Sequence, residues 1–102
     1  MRSLPVRFRE EAIADLEDIA TYLVEQGAHE TIIRGFLLRL KKQCETIGQM
    51  PEGYVARPDL GPSIRIAPFE RSSVIAYRIT ESAVEIVNIF YGGRDYQALL
   101  AE

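Results

Sequence analysis

The segment from Ser63 to Asp95, SIRIAPFERSSVIAYRITESAVEIVNIFYGGRD, constrains the fold most. It holds three apolar runs, Ile64–Ala67, Val74–Ile79 and Val84–Tyr91, separated by short polar turns. Each run is rich in Ile, Val, Tyr and Phe, which suit a pleated, half-buried surface. Connections this short favour hairpins, so the three runs are expected to form an antiparallel meander. The last run, VEIVNIFY, is the most continuously apolar, as in a strand buried on much of both faces. It stops at Gly92-Gly93, which brings Arg94 and Asp95 to the rim of the sheet.

Upstream, Leu4-Pro5-Val6-Arg7-Phe8 alternates apolar and polar and predicts a short first strand. Pro5 lacks an N–H, so this strand is expected at an edge or to begin near there. Glu10 to Gln26 then follows a helical period, with Ala12, Ile13, Leu16, Ile19, Ala20 and Leu23 on one stripe. Glu11, Asp15, Asp18 and Glu25 lie on the opposite face, and Gly27 stops the helix. A second helix is predicted from about His29 to Ile47, burying Ile33, Phe36, Leu37, Leu40, Cys44 and Ile47, with Gly48 as its end. The short Gly27-Ala28 connection makes the pair an antiparallel hairpin. Gly35, costly inside a helix, is expected to mark close approach to the first helix. Gln49 to Pro62 reads as a connecting loop, punctuated by proline and glycine. Asp95 to Glu102 reads as a short terminal helix with Asp95 near its N-cap. The expected fold is a single two-layer α+β domain over residues 1–102, in the order β-αα-βββ-α, with the helical hairpin on one sheet face.

Composition narrows the function classes. A chain of 102 residues, 47% hydrophobic and 26% charged, is that of one ordinary soluble domain. No apolar run approaches the roughly 20 residues of a membrane span, and the N-terminus lacks the apolar core of a signal peptide. The single Cys44 has no internal disulfide partner, which fits a reducing cytoplasm. A net charge of −3 argues against nucleic-acid binding by bulk charge. One His and one Cys do not supply the usual metal-ligand sets, so neither a metal nor a cofactor is expected. His29 is expected to be a solvated turn histidine, and Cys44 a small core residue.

The arginines around the meander carry more information. Only Lys41 and Lys42 are lysines; the remaining basic residues are arginines, suited to bidentate contact with carboxylate or phosphate. Arg65, Arg71, Arg78 and Arg94 are spread through the strands and turns. By alternation Arg65 faces away from Ile64 and Ile66, and Val74, Ala76 and Arg78 share a face opposite Ile75, Tyr77 and Ile79. Surface pairing with Glu70, Glu85 or Asp95 accounts for such arginines without any functional role.

Together these motifs resemble the ParE/RelE superfamily of bacterial toxins from toxin–antitoxin modules, and its ParE-like branch in particular. The matching pieces are V-R-F-x-x-E-A-x-x-D-L-x-x-I-x-x-Y over Val6 to Tyr22, the Met50-Pro51-Glu52-Gly53 break, and S-I-R-I at Ser63 to Ile66. V-I-A-Y-R-I at Val74 to Ile79 and V-E-I-V-N-I-F-Y-G-G-R-D at Val84 to Asp95 complete them. The H-G-x-R-D pattern of many ParE-like toxins stands here as Tyr91-Gly92-Gly93-Arg94-Asp95, with tyrosine in the histidine slot. Where the family often has a serine before the first helix, this chain has Arg9, a weaker cap.

The resemblance implies a type II toxin of one of two kinds. RelE-like members cut mRNA on the ribosome without a metal, which requires a base for the ribose 2′-OH, an acid for the leaving oxygen and cations for the developing phosphorane charge. Arg65, Arg71, Arg94 and Tyr91 are the candidates for such a centre, in a sheet region without His or Lys. ParE-like members poison DNA gyrase and need no catalytic centre of their own, and this is the expected activity. Arg65, Arg94, Tyr91 and Tyr96 are then the expected toxicity residues. The resemblance also implies a cognate ParD-like antitoxin, a hetero-oligomeric complex that binds operator DNA through the antitoxin, and no membrane. Glu11, Asp15, Asp18, Tyr22 and Glu25 are the expected antitoxin contacts. A non-toxic, antitoxin-binding module is the third possibility.

Overall fold

The computed structural model describes residues 3–92. The terminal helix expected over Asp95 to Glu102 lies outside the described residues. The observed order is β1 (Val6–Phe8), α1 (Glu10–Glu25), α2 (Glu30–Gln49), two 3₁₀ turns (Pro51–Gly53 and Pro58–Leu60), β2 (Arg65–Phe69), β3 (Ser73–Ile79) and β4 (Val84–Tyr91). The strands form one sheet in the order β1-β4-β3-β2. The last three make the predicted antiparallel meander, and β1 joins the edge parallel to β4, pairing Val6 with Val84 and Phe8 with Ile86.

Alternation along the strands divides the sheet residues between two cores. Ala67, Phe69, Ile75, Tyr77, Val84, Ile86 and Ile89 face the hairpin and pack on Ala12, Ile19, Phe36, Leu40, Cys44 and Ile47. On the other face Leu60 and Ile64, from the loop before β2, cover Ile66, Ala76 and Phe90. The connecting loop is therefore a second layer of cover, and β4 contributes to both cores, as its nearly unbroken apolar run requires. Tyr77 is fully buried, and its hydroxyl donates to the Pro51 carbonyl at 2.6 Å. That bond satisfies the one polar atom of an otherwise apolar payload.

The hairpin departs from the sequence reading in three places. Gly48 does not end α2; it is a buried residue of the helix, which runs on to Gln49. Leu4 N–H donates to the Gly48 carbonyl at 2.8 Å, and a Cβ on Gly48 would stand 2.6 Å from the Leu4 carbonyl oxygen and 2.7 Å from Val6 Cγ2. The close-approach glycine is thus Gly48 against the N-terminal segment. A Cβ on Gly35 would meet only the tip of Arg39, at 3.4 Å. Ile13, expected in the core stripe of α1, is 47% exposed. His29 is exposed but not idle: its ring accepts from Thr31 N–H at 3.2 Å and caps α2. Arg9 precedes α1 without any side-chain cap.

The sheet also carries an irregularity that bears on the candidate site. Tyr77 pairs with Ile86 and Ala76 with Asn88, so Val87 is extra and β4 bulges there. On the other side β1 gives out at the same level, its last rung being Arg9 N–H to the Ile86 carbonyl at 3.0 Å. Beyond Ile86 the outer side of β4 faces α1 instead of a strand.

Candidate functional site

Glu11, Asp15, Asp18, Tyr22 and Glu25 are spaced four, three, four and three residues apart, which places them on one stripe of α1. The stripe runs beside the outer side of β4, and its members have different fates. Glu11 is exposed and pairs with Arg9 at 3.5 Å. Its own backbone N–H, with Arg9 assisting, holds its carboxyl below the usual range. Asp15 is half-buried, and its Oδ2 accepts from Ile89 N–H at 2.8 Å and from Asn88 Nδ2 at 3.1 Å. The carboxylate replaces the backbone acceptor that β1 would have provided had it continued, and it fastens α1 to the β4 bulge. Asp18 and Glu25 are exposed and have no hydrogen-bond or ion-pair partner among the described residues.

Tyr22 crosses to the sheet. Its ring meets that of Tyr91 at 5.7 Å and a 60° tilt, and Tyr91 in turn stands edge-on to Phe36 at 5.5 Å. Asp15, Asp18, Ile19, Tyr22, Ile89, Tyr91 and Gly92 thereby line a cleft of about 340 Å³ between α1 and the end of β4. The structure thus joins residues expected to contact the antitoxin with one expected to carry toxicity.

The described arginines do not converge. Arg65 is half-buried on the first residue of β2, and its Nη1 donates to the Tyr54 carbonyl at 2.6 Å, tying the loop to the sheet. Phe69, at the other end of β2, pairs with Ser73, which pairs with Tyr91. At ~3.3 Å per residue the length of β2 sets Arg65 about 13 Å from the end that carries Tyr91. Arg71, by contrast, is exposed in the β2–β3 turn at Tyr91's end of the sheet, where Gly92 N–H donates to the Ser72 carbonyl at 2.9 Å. Glu70 beside it adopts φ 51° and is gripped by the Arg39 guanidinium at 2.8 and 3.4 Å. The Arg39 hydrogen bond holds the Glu70 carboxyl below its usual range. Glu70 therefore pairs with a helix arginine and not with a sheet arginine. Arg78 does pair with Glu85, at 2.9 Å, and with Arg9 assisting it depresses that carboxyl. Arg94 and Tyr96 lie outside the described residues.

A second concavity lies on the surface of the helical hairpin. Between α1 and α2 runs an apolar groove of about 580 Å³, lined by Phe8, Ile13, Leu16, Ile33, Leu37 and Leu38 with Glu30, Arg34 and Lys41 at its rim. Leu38 is 61% exposed and Ile13 47%. The available signal was the apolar surplus of α2, where Ile32 and Leu38 fall off the core stripe. Asn88 was also missed, since a lone asparagine inside an apolar run advertises no partner.

Among the described residues no group of His, Cys, Asp and Glu is arranged to hold a metal. Cys44 is fully buried, and burial pushes its thiol up to about 12, so it offers no nucleophile at neutral pH. Among the described residues no helix is long and apolar enough to cross a membrane.

Comparison with known proteins agrees with this architecture. The chain is similar to a protein of the chromosomal ParDE TA system from P. aeruginosa, at 19% identity and a TM-score of 0.75, over 87% of this chain and 96% of that one. It is also similar to a conserved hypothetical protein from Helicobacter pylori solved in solution, at 13% identity and a TM-score of 0.55, over 86% of this chain and 93% of that one. At these identities the likeness shows the fold. A search of curated proteins found no match. The family model for the ParE toxin of the type II toxin–antitoxin system parDE matches residues 6–96, which span the strands, hairpin and cleft just described, and the chain therefore belongs to the ParE toxin family.

Proposed function

We propose that this toxin arrests growth by inhibiting DNA gyrase in the cytoplasm and is held inactive by a ParD-like antitoxin. The observation that carries the choice of target is the separation of Arg65 from Arg71 and Tyr91 among the described residues. Metal-independent RNA cleavage needs an acid, a base and cations gathered within hydrogen-bond reach of one phosphodiester. Arg65 is bound to a loop carbonyl at the opposite end of β2 from Tyr91. An inhibitor that works by occupying its target needs a shaped surface and no such convergence. The toxic surface is proposed at the Tyr91 end of the sheet, with Arg94 and Tyr96 contributing to it and Arg65 supporting the loop behind it.

For the antitoxin, the exposed groove between α1 and α2 suits the apolar face of an amphipathic helix, and the outer edge of β1, unpaired with any other strand among the described residues, suits an added strand. With a net charge of −3 on the toxin, operator binding by the complex falls to the antitoxin. One observation favours a RelE-like endonuclease instead: Arg71 and Tyr91 share one end of the sheet.

A supercoiling assay with purified gyrase, run beside a ribosome-dependent mRNA cleavage assay, tests the target. Loss of supercoiling without A-site cleavage is expected. Specific cuts that disappear in Tyr91→Phe or Arg71→Ala refute the gyrase reading. Arg94→Ala, or removal of Tyr96–Glu102, is expected to relieve growth arrest while antitoxin capture persists.

A further inference from the structure

The α1–β4 cleft has a chemical character that neither the family nor the fold assigns. Its two aromatic walls, Tyr22 and Tyr91, are tilted at 60° and open to solvent at the rim, Tyr22 being 46% exposed. Its acidic side holds Asp18, which has no partner among the described residues. It also holds Asp15, both of whose hydrogen bonds fall on Oδ2 and leave Oδ1 free. Among the described residues no basic side chain lines it. Carboxylates set against π faces make a seat for a cation, and a planar guanidinium fits best: it stacks on a tyrosine ring while its edge donates to a carboxylate. Beyond Ile86 α1 covers the outer side of β4, so the seat opens at the rim of the cleft, where Tyr22, Asp18 and Gly92 are exposed.

We propose that this cleft receives an arginine side chain of the neutralising partner, and that seating it covers Tyr91. The proposal rests on the antitoxin reading above and adds a mechanism to it. The partner would then mask the toxic end of the sheet by direct contact, and the apolar groove on the hairpin would supply the bulk of the affinity. Arginine is preferred over lysine because a compact ammonium cannot stack on one ring and reach a carboxylate in plane at the same time.

The test uses the full chain with its tyrosine rings isotopically labelled, titrated at low salt with N-acetyl-arginine amide and, separately, with its uncharged citrulline analogue. Saturable shifts of the Tyr22 and Tyr91 rings, absent at Tyr54 and Tyr77, are expected with the arginine compound only. Asp18→Asn is expected to weaken them about tenfold. Equal shifts with citrulline, or an unchanged response in Asp18→Asn, overturn the proposal. Shifts that appear only in Arg94→Ala mean that the chain's own arginine fills the seat, and overturn the partner assignment. Antitoxin capture of native and Asp18→Asn chains then separates the two readings. Failure of the native chain to bind refutes the antitoxin reading and this proposal with it; equal dissociation rates for the two chains refute this proposal alone.

Discussion

Replacing Asp15 with alanine removes the acceptor of two hydrogen bonds, from Ile89 N–H at 2.8 Å and Asn88 Nδ2 at 3.1 Å. The loss falls on the side of β4 where, among the described residues, no strand can compensate, because the last rung from β1 reaches only Ile86. A hydrogen bond to a charged group contributes about 1.5–3 kcal/mol, and an orphaned donor costs about as much when buried. The site is half-buried, so water can recover part of the loss, and about 2 kcal/mol remains as the expected destabilisation. For a domain near this size that lowers Tm by about 8–16 °C. Asp15→Asn keeps an acceptor oxygen and loses the charge, and should fall about midway. Asp18→Ala, on the same stripe but without a partner, should stay within about 0.5 kcal/mol of the native chain. Urea denaturation followed by circular dichroism, with the three variants side by side, reads these differences. Equal midpoints for Asp15→Ala and Asp18→Ala would refute the role given to the α1–β4 contact. Amide exchange at Ile89 gives an independent check, since it should accelerate in Asp15→Ala ahead of the amides on the β3 side.

Three further outcomes follow from the same geometry. Gly48→Ala should cost about 1–3 kcal/mol in urea denaturation, because its Cβ would meet a backbone carbonyl that cannot swing aside; the same change at Gly35 should be stabilising or neutral. Cys44, with its thiol pushed up to about 12 and no exposed surface, should stay inert to a disulfide-exchange reagent at pH 8 in the native chain and react fully in urea. The Glu85 carboxyl is depressed first by its bond to Arg78, so its contribution is present above the ordinary value of about 4.3 and lost as pH falls through the lower folded value. Glu85→Gln should therefore be less stable than the native chain at pH 6, with the gap closing toward pH 3 in thermal melts.

Local patterning made much of this molecule legible. The alternation and turn chemistry of Ser63 to Tyr91 specify three strands whose observed bounds lie close to those expected, and the apolar continuity of β4 foretells burial on both faces. The stripe Glu11, Asp15, Asp18, Tyr22 and Glu25 follows from helical spacing. Where Gly48 breaks the pattern, the reason is not local: a glycine that stops a helix and one that admits another backbone look alike in sequence, and here Leu4 decides between them.

The sequence by itself determined the elements, the hairpins between them and the family, because these depend on side-chain period, turn residues and short connections. The tertiary structure alone decided the parallel pairing of β1 with β4, whose partners Val6 and Val84 are brought together only when the hairpin closes over the sheet. It alone decided that Asp15 bonds to the β4 bulge, that Arg65 holds a loop, and that Tyr22 and Tyr91 share a cleft. An acidic residue on a solvent-facing period carries no mark of the backbone donor it will meet. That donor is open because β1 stops at Phe8 and leaves Ile89, paired with Ile75 on the β3 side, without a described strand on its other side.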